Sequence, residues 1–229
     1  MEYLHNGFTL QLCPGAFPLS TDSIALAGFV KLPKQARVLD LGSGCGTLGM
    51  LLCAENADCR ITGVELDAAA HEAALVNSAQ NGLTSRLTSI CRDIREIPRF
   101  LPPGSVHCCV SNPPYFAGGP ASTSVPLARR EDCCTLTDLF TAAAWALRYG
   151  GDFFLVHRPE RLAELCSCGS KAGLEPKRLQ LLRHRADGPV SLILLQCRKG
   201  GKPGLQWEEL SLHDPAGMPT EAYRKLYHI

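Results

Sequence analysis

Residues 38–46 read VLDLGSGCG: an apolar run with one acid inside it, then glycine at every second position. The apolar run predicts a strand buried on both faces over 36–41 (ARVLDL). Gly42, Gly44 and Gly46 predict a turn whose backbone takes left-handed conformations, or approaches a ligand with no β-carbon in the way. A helix over about 47–56 follows. A strand, a glycine turn and a helix open many nucleoside-binding α/β sheets. The same elements also serve nicotinamide or flavin sites, or form a plain tight turn. The GxGxG spacing departs from the dinucleotide GxGxxG and leans away from NAD.

Working outward, strands and helices alternate. Strands are predicted over 60–65 (RITGVE), 87–91, 106–111 and 152–157 (DFFLVH), with helices over 68–81 and 136–148 and another opened by Pro159. Gly82 suits the C-terminal cap of the second helix. Two last strands, about 177–182 and 190–197, flank an ADGP turn too short for a crossover, so they pair antiparallel. Short connections throughout predict a mostly parallel sheet with helices on both faces. Ahead of it, 17–30 (FPLSTDSIALAGFV) reads as a helix capped by Ser20, Thr21 or Asp22, with Ile24, Leu26, Ala27 and Val30 toward the core. Residues 1–35 are thus read as an N-terminal segment packing on the core, 36–200 as the main domain and 201–229 as a tail.

The 229 residues suit one α/β domain. Net charge is +1, but between Arg148 and Leu205 there are 11 Lys and Arg against 5 Asp and Glu, so the basic character is concentrated there. A basic face of this kind is either a solvated surface or a phosphate-binding one. No secretory signal and no apolar run of membrane-spanning length is present, which predicts a cytoplasmic protein with no membrane association. Several of the twelve cysteines (Cys53, Cys91, Cys108, Cys109, Cys197) fall inside predicted elements, where thiols behave as small hydrophobes. Cys166 and Cys168 form only a CxC, so no metal site is expected. His157 and His184 are isolated and read as structural or surface residues.

Two acids end the next strands. Glu65, in GVELD, stands 23 residues past Gly42, where a carboxylate can accept from both hydroxyls of a ribose. Asp93, in ICRDI, stands where an acid can accept from an adenine amino group. All three strand ends line the crevice in which open α/β sheets bind ligands. These stretches resemble the three motifs of the class I S-adenosylmethionine-dependent methyltransferases, with Asp40 at the acidic position of the first. The resemblance covers roughly residues 17–197. It implies a Rossmann-like, seven-stranded, mostly parallel sheet with one antiparallel strand, and S-adenosyl-L-methionine as cofactor.

The reaction is suggested by VSNPPY at 110–115, directly after the fourth strand. In isolation it would be a proline-rich turn. In this fold, the resemblance implies, the end of that strand faces the sulfonium methyl. A conjugated amino group is nearly planar, and attack on a methyl carbon draws it toward tetrahedral geometry. Two acceptors aimed at its hydrogens favour that change: the Asn112 side-chain carbonyl and the Pro113 backbone carbonyl. Pro113 and Pro114 fix φ and hold the turn. Tyr115 offers a ring face for a base to stack on. Asn112 also lies near the cofactor. The motif resembles that of methyltransferases acting on N6 of adenine, N4 of cytosine or the amide of glutamine, so it leaves the substrate open.

The chain lacks the helical domain that usually precedes the first motif in release-factor glutamine methyltransferases, and the target-recognition domain of many DNA methyltransferases. Its LSTDSIALAGFV, SNPPYF, ARRE (128–131) and FFLVHRPERLAEL (153–165) resemble the bacterial tRNA1(Val) (adenine-37-N6)-methyltransferase family. That resemblance implies a tRNA substrate and places Asp22 close to the methionine end of the cofactor. Arg129 and Arg130, after a Gly/Ser/Pro-rich segment, are either solvated or grip substrate phosphates. Two alternatives stay open: an N5-glutamine methyltransferase of a protein, and a catalytically silent binding protein. Intact GSGCG, Glu65, Asp93 and NPPY weigh against the latter.

Overall fold

The computed structural model describes residues 2–4, 7–16, 18–113 and 134–229. Short strands β1 (Glu2–Tyr3) and β2 (Thr9–Leu10) pair antiparallel and precede helix α1 (Thr21–Phe29). Then follow β3 (Arg37–Leu41), α2 (Thr47–Glu55), β4 (Arg60–Glu65), α3 (Ala68–Gln80), β5 (Leu87–Cys91), α4 (Ile97–Phe100) and β6 (Val106–Ser111). The remaining elements are α5 (Leu136–Ala146), β7 (Leu147–His157), α6 (Leu162–Lys171), β8 (Leu174–Arg185), β9 (Val190–Lys199), β10 (Gln206–His213) and α7 (Glu221–Tyr227).

The sheet order is β10-β8-β9-β7-β6-β3-β4-β5. Only β9 runs against its neighbours. The central strands are apolar at consecutive positions because both faces are covered. On β3, Val38 belongs to one core and Leu39 and Leu41 to the other; on β7, Phe154 and Val156 oppose Phe153 and Leu155. Helices α1, α2 and α3 supply the first core, and α4, α5 and α6 the second. The chain runs outward from β3 through β4 to β5, then returns to β6 on the other side of β3. That reversal opens a crevice at the carboxyl ends of β3 and β6.

The sheet has eight strands, not seven. The added strand, β10, pairs parallel with the outer edge of β8. Its sequence, QWEELSLH, gives little apolar signal because only Leu212 is buried, as suits an edge strand. Beyond it, α7 packs against α1. The Thr21 and Tyr227 hydroxyls are 2.9 Å apart. A β-carbon on Gly28 would lie 2.7 Å from Leu226 Cδ1, so glycine permits the close approach of the two helices. Asn77 on α3 and Asn81 at its C-terminal cap clamp the N-terminal segment as a strand partner would. Asn81 Oδ1 accepts from Thr9 N–H and its Nδ2 donates to Thr9 C=O, both at 2.8 Å. Asn77 does the same for Gln11 and also donates to Cys45 C=O. The segment is thereby held along the C-terminal half of α3. Among the described residues no helix is long and apolar enough to cross a membrane.

Candidate functional site

A cleft of about 240 Å³ lies at the crevice. Its wall includes Asp40, Gly42, Gly44, Glu65, Asp93, Asn112 and Pro113, with Cys13 to Ala16 of the clamped N-terminal segment on its rim. Gly42 and Gly44 have φ of +73° and +54°, and a β-carbon on either would meet nothing within 4 Å. They serve the turn and leave room for a ligand. Gly46 differs: its β-carbon position lies 3.3 Å from Ala74 Cβ, so it serves the contact of the turn with α3 and is not on the cleft wall.

Glu65 holds the glycine turn. Its Oε2 accepts from Gly44 N–H at 2.7 Å and its Oε1 from Asp67 N–H at 2.9 Å. Each carboxylate oxygen has a second lone pair, so the group retains capacity toward a hydroxyl ligand. Asp40 is 2% exposed and its Oδ2 has no hydrogen-bond partner among the described residues. Burial, and then the nearby Glu65 carboxylate, push its pKa up to about 7. A buried carboxylate oxygen with no protein partner on the wall of a cleft suits a cationic or hydrogen-bond-donating ligand. Asp93 is engaged already: Arg95 donates to both of its oxygens from Nε at 3.0 Å and from its backbone N–H at 2.9 Å. These bonds hold Asp93 below the usual carboxylate range. An adenine amino group would share Asp93 with Arg95 or displace it.

Asn112 follows the last residue of β6. The turn there is held from two sides. Ser111 Oγ donates to Leu41 C=O at 2.7 Å, joining β6 to β3 just where the ladder ends. Asn112 Nδ2 donates to Ser23 Oγ at 3.0 Å. Sequence reasoning missed Ser23. Its signal was a polar residue on the core face of α1, three and four places before buried Leu26 and Ala27. Asp22 stands beside it in the first turn of α1 but is not part of the cleft wall. Pro114, Tyr115, Arg129 and Arg130 lie outside the described residues.

Cys13 and Cys45 were also not assigned a place. Their sulfurs are 3.6 Å apart at the rim of the cleft, and burial foremost raises the Cys45 thiol to about 11. Among the described residues no group of three or more His, Cys, Asp or Glu side chains is set to hold a metal ion. Part of the basic segment is paired within the protein. Arg178 and Arg183 meet Glu208 and Glu209 of β10, Arg185 meets Asp187, Arg161 meets Glu164 and Arg198 meets Asp152. Two acids of the tail, Glu208 and Glu209, thus meet arginines of the stretch that the sequence makes basic.

Comparison with known proteins places this geometry. The model of a family described as the methyltransferase small domain matches residues 20–164. A Photobacterium profundum protein named tRNA1(Val) (adenine(37)-N6)-methyltransferase is 30% identical over 86% of this chain and 84% of its own. A Bacteroides fragilis protein of the same name is 26% identical over 82% and 80%. Among solved structures, a predicted O-methyltransferase from Agrobacterium tumefaciens has a TM-score of 0.76 at 20% identity, covering 91% of this chain and 96% of its own. A geranyl diphosphate methyltransferase in complex with S-adenosylmethionine has a TM-score of 0.58 at 14% identity, over 77% and 84%.

Proposed function

The chain belongs to the methyltransferase small domain family and is an S-adenosylmethionine-dependent N-methyltransferase, and on that premise we propose that its substrate is the N6 amino group of an adenine in tRNA. The observation that carries the proposal is Asn112, tethered by its amide nitrogen at the end of β6, on the same cleft wall as Asp40 and Glu65. The names of the relatives support tRNA as the substrate, and a tRNA substrate is consistent with a cytoplasmic enzyme.

The residues present fit the cofactor. Glu65 would accept from ribose hydroxyls, Asp93 from the adenine edge, and Asp40 would face the charged amino-acid end. Gly42 and Gly44 leave the space. When bound, the cofactor supplies an electrophilic methyl group on sulfur. Asn112 Oδ1 and the Pro113 carbonyl would accept the two hydrogens of the target amine and favour its tetrahedral form as it attacks. No strong base is needed, because the nitrogen sheds its proton after attack. Tyr115 would stack on the flipped base, and Arg129 and Arg130 would hold phosphates beside it.

Transfer of tritiated methyl to bulk tRNA, ribosomal RNA and release factors tests the reading. Label in tRNA, recovered as N6-methyladenosine by nucleoside mass spectrometry, is the expected result. Label confined to release factors would replace adenine with glutamine as the substrate.

A further inference from the structure

We propose that Ser23 is a positioning residue for methyl transfer: its hydroxyl holds the NH2 end of the Asn112 amide and so fixes where the oxygen end stands for the substrate. This rests on the N-methyltransferase reading of the cleft and adds a residue to it. An asparagine amide has a donor end and an acceptor end of almost the same shape. The target amine brings only donors, so it needs the oxygen; the reversed amide would set N–H against N–H. A serine hydroxyl can accept or donate, so what it fixes is the place of the amide. Asn112 lies one residue beyond β6, past the last ladder pair with β3, where the sheet no longer fixes it. Its Nδ2 donates to Ser23 Oγ at 3.0 Å, across 89 residues of sequence.

The anchor is stiff. Ser23 is 7% exposed, in the first turn of α1. That helix is fixed by the Thr21–Tyr227 hydroxyl contact, by the edge-to-face packing of Phe29 on Phe154, and by Arg178 over the Phe29 ring. Burial makes the bond worth more than it would be in water. The Ser111 hydroxyl holds the backbone of the same turn, so one serine sets where the turn lies and the other where its amide stands.

The test compares wild type, Ser23→Ala and Ser23→Thr. Ser23→Ala should lower kcat by about tenfold, the size of one net hydrogen bond, with KM for RNA and calorimetric cofactor affinity unchanged. Ser23→Thr, which keeps the hydroxyl, should recover most of kcat. A second readout needs no turnover: the side-chain amide resonances of Asn112, identified by their loss in Asn112→Asp, should shift in Ser23→Ala and return in Ser23→Thr. Unchanged kcat in Ser23→Ala, a loss that appears in KM or cofactor affinity instead, or unmoved Asn112 resonances would each overturn the role. If wild type transfers no methyl to RNA, the adenine reading fails, and the resonances alone decide Ser23.

Discussion

Replacing Asp40 with asparagine should change how stability depends on pH, and by an amount the structure sets. An unfolded aspartate titrates near 3.8, whereas Asp40 in the folded protein titrates at about 7 because burial, assisted by Glu65, disfavours its charge. Between those values the native state keeps a proton that the unfolded chain has lost. The contribution of Asp40 to wild-type stability therefore falls as pH rises through that window, by roughly 1.4 kcal/mol per pH unit, and levels off above pH 7. The full drop is about 4 kcal/mol at that rate. Asparagine does not titrate. The stability of Asp40→Asn minus that of wild type should rise by this amount from pH 4 to neutral, whatever constant offset the amide introduces. Urea denaturation of the cofactor-free protein at intervals across that range measures it. Curves that stay parallel would show that Asp40 is ionised throughout and that its environment is not the dry one described.

Four further outcomes are expected. Glu65→Ala should weaken cofactor binding by calorimetry and, because Gly44 loses its acceptor, should also raise hydrogen exchange at the Gly44 amide; unchanged affinity would remove Glu65 from the site. Asn77→Ala should cost about 1–3 kcal/mol in denaturant unfolding by leaving the groups at Gln11 and Cys45 unsatisfied, and should speed proteolysis ahead of α1. Tyr115→Ala should cost roughly 1–3 kcal/mol in use of the base while Tyr115→Phe keeps most activity; equal damage from both would sink the stacking role. Charge reversal at Arg129 and Arg130 should flatten the salt dependence of tRNA binding in filter assays without altering cofactor affinity, and superimposable salt curves would make them solvated residues.

The central sheet was legible because its strands are buried on both faces and write themselves as apolar runs: ARVLDL and DFFLVH admit few other structures. The end-of-strand acids were legible for the same reason, since topology brings strand ends together. Two kinds of feature were not. β10 buries one side chain and carries two glutamates whose partners, Arg178 and Arg183, stand on another strand, so neither period nor composition marks it. Those arginines read as a basic surface when taken alone. Ser23 and Asn77 act through long-range hydrogen bonds, and nothing in the local sequence of either names its partner. The contact of Cys13 with Cys45 is of the same kind.

The packing of α7 on α1 joins residues 206 positions apart, and this has a consequence for the order in which the enzyme is made. A chain leaving the ribosome can pair β3, β4 and β6 and fold the glycine turn long before α7 exists. Until then α1 lacks the helix that backs it. Synthesis therefore delivers the nucleoside half of the site early and the brace behind the Asn112 tether late. A chain halted between β9 and α7 would hold the elements of a cofactor cleft while lacking the support that aims its amide.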